Sequence, residues 1–184
     1  MPTWNNVTYA DGQDNPGGLS MQADAIKFIA NDDLDPAEAV PDLPAAPTTD
    51  AEYVTVAGDF VPSATKGFVK IYCTPKTGMI ESESVGEVDG YSFKHSFTFF
   101  IPGNNDDAEA FGRKLLNTRG YFVITELDGT VRLVGTKKFP AFVEEVKGTS
   151  GGKVEERRGN TFKVFCYGVT PKAPKFTGDA PLKP

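Results

Sequence analysis

The residues best suited to chemistry in this 184-residue chain are a cluster of carboxylates at positions 81–89. Glu81, Glu83, Glu87 and Asp89 are spaced closely enough to act as an acid–base pair or to bind a cation. Glu81 and Glu83 are also separated by one residue, which is the spacing of neighbouring side chains on one face of a β-strand. The sequence therefore favours a solvated acidic strand face over a catalytic or metal site.

His95 is the only histidine of the chain. It lies within residues 91–101, where aromatic residues such as Phe97 and Phe99 occupy alternate positions and predict a strand with one buried face. Because His95 falls on that apolar side, we expect it to be packed in the core or at an interface. No serine or cysteine nucleophile is marked out beside it, so the sequence predicts that the protein is not an enzyme.

The two cysteines and the aspartates near residue 33 carry no metal-binding pattern. Cys73 and Cys166 belong to no Cys-x-x-Cys pair or Cys/His cluster, which argues against a structural zinc site and predicts two reduced thiols. A disulfide between them would require their two strands to be neighbours. Asp32, Asp33 and Asp35 lack the glycine and the distal glutamate of an EF-hand loop. We therefore expect no metal and no cofactor.

The hydrophobic pattern changes its period after Pro102-Gly103. Downstream of this break, small and apolar residues follow the i, i+3, i+4, i+7, i+8 spacing of an amphipathic helix. These residues are Ala108, Phe111, Gly112, Leu115 and Leu116. A long aromatic strand thus leads into one short helix, and each element has an apolar side to bury.

The rest of the chain offers only strands and loops. Strand-like runs occupy residues 25–29, 52–56, 67–73, 79–85, 121–126, 131–134, 139–146 and 161–167. Asp128-Gly129 separates two of these runs and predicts a β-hairpin with a type I′ turn, whose two central residues need positive φ. The expected fold is mainly β, a β-sandwich or rolled sheet with one flanking α-helix.

Composition divides the chain into three parts. Residues 1–50 are expected to form an N-terminal arm, because residues 31–49 are rich in proline, which resists both helix and central strand. Residues 51–170 are expected to form the folded body. Residues 171–184 are expected to form a second proline-rich arm with little to bury.

Charge and hydropathy limit the partners. The formal net charge of −6 disfavours tight binding to a nucleic-acid backbone, which usually needs a basic surface. No apolar run approaches the ~20 residues of a membrane span, and the N-terminus lacks the basic and apolar regions of a secretion signal. Trp4 and Tyr9 stand outside the periodic body, where they are either aromatic anchors on a partner subunit or packed on their own domain.

A series of short motifs runs through residues 77–178. They are Thr77-Gly78-Met79-Ile80-Glu81-Ser82-Glu83, Phe99-Phe100-Ile101-Pro102-Gly103, Arg132-Leu133-Val134-Gly135, Phe139-Pro140-Ala141, Gly148-Thr149-Ser150-Gly151, Arg157-Arg158-Gly159-Asn160-Thr161-Phe162 and Thr170-Pro171-Lys172-Ala173-Pro174-Lys175-Phe176-Thr177-Gly178. In this layout, with its single helix, the chain resembles the tail-tube (major tail) proteins of long-tailed bacteriophages, especially phages that infect Bacteroidetes. The resemblance covers a little over half of the chain, and none of its motifs is a chemical signature.

The resemblance implies a structural role in the virion. Tail-tube proteins are β-sandwiches that form rings, usually hexameric, and the rings stack into a tube through which genomic DNA passes without sequence-specific binding. Their partners are further copies and other tail proteins, not a membrane, and assembly takes place in the cytoplasm of the bacterial host. The candidate lumen-facing acidic residues are Glu81, Glu83 and Glu87. The candidate contacts between subunits are Trp4, Tyr9, Arg157, Arg158 and Phe176.

Two other classes of function remain open at this point. One is another β-sandwich protein of the virion, such as a head decoration or a tail terminator, which would form closed single rings or trimers and no tubes. The other is a ligand-binding β-sandwich module, for example for carbohydrate. Such a module needs exposed tryptophan or tyrosine platforms near loops, and the chain has one tryptophan, near its N-terminus.

Overall fold

The computed structural model describes residues 25–103, 106–152 and 156–184, and strands dominate this part of the chain. Its ten strands are β1 (Ile26–Ala30), β2 (Thr55–Val56), β3 (Val69–Ile71), β4 (Met79–Val85), β5 (Ser92–Pro102), β6 (Gly120–Thr125), β7 (Val131–Val134), β8 (Phe142–Thr149), β9 (Gly159–Gly168) and β10 (Lys175–Phe176). One α-helix, α1 (Asp106–Leu115), and one short 3-10 helix, Asn31–Asp33, accompany them. The prediction of a mainly β chain with one α-helix is confirmed.

The strands form two sheets that pack face to face. Their hydrogen-bonded orders are β2-β10-β7-β6-β1-β3 and β4-β5-β9-β8. Both sheets contribute to one apolar cluster, in which Phe97 and Phe162 of the four-stranded sheet meet Ile26 and Phe122 of the six-stranded sheet. The ring centroids of Phe97 and Phe122 are 6.0 Å apart. The main core therefore lies between the two sheets.

β5 is the long aromatic strand that the alternation predicts. It lies between β4 and β9, and its inner residues His95, Phe97 and Phe99 are fully buried. Tyr91 departs from the prediction, because it precedes the strand and is 66% exposed. The alternation thus identifies the buried face of β5 correctly but extends it one step too far.

α1 seats its apolar side between the two sheets. The ring of Phe111 contacts Phe28 of the six-stranded sheet and Phe162 of the four-stranded sheet, with centroid distances of 6.0 and 5.6 Å. A Cβ atom at Gly112 would lie 3.4 Å from the ring of Phe162, which is an ordinary contact distance, so the packing does not require a glycine there. Leu116 departs from the predicted helix face, since it follows the end of α1 and is 52% exposed.

β1 is an interior strand of the six-stranded sheet, with β6 on one side and β3 on the other. All five of its residues pair with β6, and Ile26 and Ile29 are fully buried. The short apolar run at residues 25–29 is therefore a strand, as its composition indicates. Residues 26–30, which the sequence assigns to an N-terminal arm, belong to the folded body.

A second apolar cluster covers the opposite face of the six-stranded sheet. The ring of Phe60 lies at its centre, 5.2–5.5 Å from the rings of Phe68, Tyr121 and Phe176. The proline-rich residues 31–49 contribute side chains to this cluster. These are Leu34, Val40 and Leu43. Residues 31–49 therefore pack against the body, contrary to the expectation of an extended arm.

The C-terminal segment is also part of the sheet. β10 pairs in parallel with β2 and antiparallel with β7, and the backbone of Phe68 bonds to Pro181 and Lys183. Ala173 and Ala180 are buried. The expectation of an arm with little to bury is wrong for this segment. Its strand β10 is hydrogen-bonded to β2 and β7, and its small side chains allow it to lie close to the sheet.

The hairpin of β6 and β7 forms as predicted, but its turn has a different type. Gly129 has a positive φ of 84°, whereas Asp128 does not, so the turn is not type I′. The amide of Gly129 donates to the carbonyl of Glu126, and the amide of Thr130 donates to Asp128 Oδ1 at 2.8 Å. The aspartate thus stabilises a type I turn with its side chain, and the glycine supplies the one left-handed residue.

Several strands are shorter or shifted relative to the sequence prediction. β8 begins at Phe142 and not at Phe139, because Thr136 and Phe139 close a turn in which the Thr136 amide donates to the Phe139 carbonyl at 2.9 Å. β2 and β3 have only two and three residues. β4 has the predicted bounds, residues 79–85.

Replacement of Phe122 by alanine is expected to remove about 3–5 kcal/mol from the free energy of unfolding. Its ring is fully buried and contacts Phe28, Phe97 and Phe99, so truncation leaves a cavity between the sheets. Urea denaturation measures the loss. The matched control is Phe139→Ala, whose side chain is 48% exposed and should lose no more than about 1 kcal/mol. Equal losses for the two variants would contradict the assignment of the core.

Candidate functional site

The outer face of the four-stranded sheet, which points away from the core, carries the polar and charged residues of β4, β5, β9 and β8. Strand register places Glu83, Lys94 and Tyr167 in one cross-strand row. The next row contains Glu81 of β4 opposite Ser96 of β5. We call this surface the outer face.

A charged network crosses the middle of the outer face. The Glu144 carboxylate accepts hydrogen bonds from Lys163 Nζ at 2.8 Å and from Lys94 Nζ at 2.6 Å. These two bonds, that from Lys163 foremost, lower the pKa of Glu144, and the same contact raises the pKa of Lys163. Glu144 reaches both lysines because a β-bulge between Val143 and Glu145 gives β8 an extra residue there.

The predicted acidic residues occupy the edge of this surface. Glu81 and Glu83 are exposed and share one face of β4, as their spacing predicts. Glu87 does not share that face, because it lies beyond β4 in the turn whose Gly90 amide donates to the Glu87 carbonyl. The outer face is also less acidic than expected, since the lysines of the network lie on it beside the carboxylates. Lys94 and Lys163 alternate with buried neighbours in β5 and β9, and this alternation is the sequence signal for their outward position.

An aromatic ladder lies on the same face, along β9 and β8. The rings of Phe142 and Phe165 meet edge to face at 5.0 Å, and Phe165 meets Tyr167 in the same way at 5.6 Å. Lys94 Nζ lies 5.1 Å from the Phe165 ring centroid, and the Arg119 guanidinium lies 5.7 Å from that of Phe142. Side-chain cations therefore already lie over the rings of Phe165 and Phe142, where a stacking ligand would have to bind.

The two edges of the four-stranded sheet are its most distinctive feature. β4 and β8 are its outermost strands, seven and eight residues long, and each pairs on one side only within the described residues. Such edges present rows of backbone N–H and C=O groups to solvent and are templates for pairing with another chain. Met79 at the start of β4 is 51% exposed, so this edge also offers apolar surface.

In the part of the chain that the structure describes, Ser82 and His95 form a pair that resembles part of a catalytic arrangement. Ser82 Oγ and His95 Nδ1 are 2.8 Å apart across β4 and β5. Burial lowers the pKa of His95 to about 4, so its imidazole is a weak base. His95 Nε2 has no hydrogen-bond partner among the described residues, and therefore no third group orients the ring as catalysis by such a pair requires. The prediction that His95 is a packed residue is confirmed.

The predicted contacts between subunits have different positions. Arg157 and Arg158 are exposed in the connection between β8 and β9, where they are accessible to a partner. Phe176 is buried in its own chain at 4% exposure and packs on Phe60, so it is not available to a second subunit. Trp4 and Tyr9 lie outside the described residues.

The two cysteines are free thiols that differ in burial. Burial raises the pKa of the Cys166 thiol to about 12, and the Gly135 amide donates to its sulfur; Cys73 is half-buried. Within residues 25–103, 106–152 and 156–184, no three His, Cys, Asp or Glu side chains are grouped to hold a metal ion. No helix in the same ranges combines the length and hydropathy of a membrane span.

Comparisons with protein-family models, curated proteins and solved structures found no match to this chain.

The stability of the protein is expected to fall between about pH 6.5 and pH 4 because of His95. Its pKa is about 4 in the folded chain against an ordinary 6.5, so below pH 6.5 the unfolded chain takes up a proton that the folded chain refuses. The loss is at most about 3 kcal/mol and is complete below pH 4. Urea denaturation at a series of pH values measures it.

The matched control for this titration is His95→Gln, which keeps a side chain able to bond Ser82 but does not titrate. Carboxylates contribute equally to both proteins, so the difference between the two pH profiles isolates His95. Parallel profiles would show that His95 does not titrate as its burial requires.

Proposed function

We propose that the protein is a structural subunit of a bacteriophage tail tube, in which rings of identical copies stack around a channel for DNA. The observation that carries this proposal is the four-stranded sheet whose outermost strands, β4 and β8, each pair on one side only within the described residues. A sheet with two free edges can continue from one subunit to the next. Closure of such a sheet into a barrel satisfies the edge groups that a single copy leaves to solvent.

The strand directions are compatible with ring closure. Each neighbouring pair in the order β4-β5-β9-β8 is antiparallel, so β4 and β8 run in opposite directions. When a rotation places β8 of one copy beside β4 of the next, the new pair is therefore also antiparallel. Repetition of this head-to-tail contact gives a ring if the rotation closes.

The size of the resulting barrel suits a conduit. Six copies, the usual number in the proteins that the chain resembles, would contribute four strands each, or 24 strands. Barrels of about 16–18 strands already leave an aqueous channel. The outer face would line this channel, while α1 and the six-stranded sheet would lie outside it.

The charges of the outer face are compatible with the passage of DNA. Lys94 and Lys163 are bound by Glu144, whereas Glu81 and Glu83 are exposed. These exposed carboxylates would repel phosphate groups, and the lysines that could hold DNA are partly neutralised. The channel would therefore interact weakly with DNA despite its mixed composition.

Purified protein at high concentration is expected to form tubes of stacked rings in negative-stain electron microscopy. Ser84→Lys should reduce this assembly, because Ser84 is an exposed residue of β4 and a lysine on an edge strand opposes edge pairing. The matched control is Ala46→Lys, an exposed position outside both sheet edges, which should assemble normally. Closed single rings or trimers would favour a head decoration or tail terminator, and a persistent monomer would overturn assembly altogether.

Neutralisation of the acidic residues tests the role of the channel separately from assembly. The triple variant Glu81→Gln, Glu83→Gln and Glu87→Gln should still form tubes, since these side chains are exposed, do not support the core and are not replaced by lysine on the β4 edge. Virions that carry it should eject DNA more slowly, because the channel loses carboxylates that repel phosphate groups. Infectivity and ejection of fluorescent DNA are the measurements. Unchanged infectivity would argue against an acidic lining of the channel.

A further inference from the structure

An apolar groove of about 750 Å³ opens between α1 and the β3 edge of the six-stranded sheet. Phe28 and Val69 of the sheet, Ile101 of β5 and Phe111 of α1 contribute to its walls. We call it the α1–β3 groove. Its volume lies in the range of about 300–1,000 Å³ typical of ligand pockets, and its lining is mostly apolar.

β3 leaves an open strand edge beside the α1–β3 groove. It ends the six-stranded sheet and pairs only with β1 among the described residues. On either side of β3 the backbone is already bonded, since Phe68 pairs with the C-terminal segment and the Thr74 amide donates to Phe100. The unpaired interval is therefore short. It begins at Val69, which is 39% exposed, and Tyr72, which directly follows β3, is 56% exposed.

We propose that the N-terminal segment of the same chain, residues 1–24, docks in the α1–β3 groove with Trp4 as its apolar anchor. This segment contains Trp4 and Tyr9 and is far too short to bury them in a core of its own. A docked extended segment would fill the apolar pocket with side chains and pair its backbone with the free edge of β3, as in recognition by strand addition. This inference does not depend on ring assembly.

Charge does not oppose this occupant. Residues 1–24 contain three aspartates and no lysine, arginine or glutamate. The groove is lined by Lys70 and Lys114 and by Asp33 and Asp107, so its positive and negative side chains balance. The apolar lining and the position of the tether therefore carry the inference.

The segment is tethered close enough to reach the groove. Ile26 pairs with Ile71, so residue 24 is attached to the strand next to β3, about 5 Å away. β1 and β3 are antiparallel, and the chain must therefore turn back before it can follow the groove. Residues 15–18 read Asn-Pro-Gly-Gly, a turn-forming sequence, and residues 4–14 span up to roughly 33 Å when extended.

The covalent link between residues 1–24 and β1 favours docking of the chain's own segment over docking of the same segment from a second molecule. A tethered segment meets its own groove at an effective concentration in the millimolar range. In dilute solution, the segment of a second molecule cannot compete with that concentration. Docking within one chain is therefore the expected state of the monomer.

Trp4 provides a direct readout in the intact protein, because it is the only tryptophan of the chain. At low micromolar concentration, the wild-type emission should be blue-shifted, and acrylamide should quench it weakly. Val69→Glu should lower the ratio of docked to free segment about tenfold, giving red-shifted and readily quenched emission. The matched control is Val88→Glu, because Val88 is 79% exposed in the turn after β4 and does not line the groove.

A second groove variant, Tyr72→Glu, guards against loss of folding in the first, since Tyr72 is more exposed than Val69. Circular dichroism establishes that each variant retains its strands. Release of Trp4 in either folded groove variant, with none in Val88→Glu, supports docking. Wild-type Trp4 that is already exposed, or that stays protected in both groove variants, overturns it. Emission that shifts to the red on dilution would assign the groove to a neighbouring copy and would overturn docking within one chain.

Discussion

The contact between Phe122 and the stacked pair Phe97–Phe99 fixes the distance and orientation of the two sheets. Phe122 lies 6.0 Å from both rings, and Phe99 in turn stacks on Phe162 at 5.2 Å. Aromatic rings in such tilted and offset arrangements gain from specific geometry as well as from burial. We call these four rings the phenylalanine layer. It buries the inner face of the four-stranded sheet, whereas the outer face and both edges of that sheet lie at the surface.

Within the described residues, the six-stranded sheet is covered on both faces, and in this it differs from the four-stranded sheet. Its inner face meets the phenylalanine layer, and its other face is covered by residues 31–49 and by the C-terminal segment around Phe176. Segments rich in proline suit this role, since they lie flat along a sheet and need few hydrogen bonds of their own. The four-stranded sheet keeps one face uncovered among the described residues.

The sequence predicts local features of this arrangement better than it predicts the pairing of strands that are distant in the chain. The bounds of β4, the buried face of β5 and the hairpin of β6 and β7 follow from period and turn chemistry within a few residues. The interior position of β1 and the incorporation of β10 do not, because both depend on partners that are distant in the chain. The same limit applies to the outer face. The exposure of Glu81 and Glu83 can be predicted from the alternation of residue types. The ion pairs of Glu144 with two lysines cannot, because they depend on a β-bulge and on the order of the strands.

The charges at the two edges favour a head-to-tail ring over a symmetric dimer. β4 contains no proline, lysine or bulge, which are common protections of an edge strand, but it presents Glu81 and Glu83. Two β4 strands paired with each other would bring these carboxylates together, and like charges on paired strands are destabilising. β8 carries Lys147 and Glu145 as an ion pair on its exposed side, so its pairing with β4 brings the two carboxylates of β4 beside a pair without net charge. The same carboxylates that would face DNA in a channel thus disfavour the isologous contact that would prevent the ring from forming.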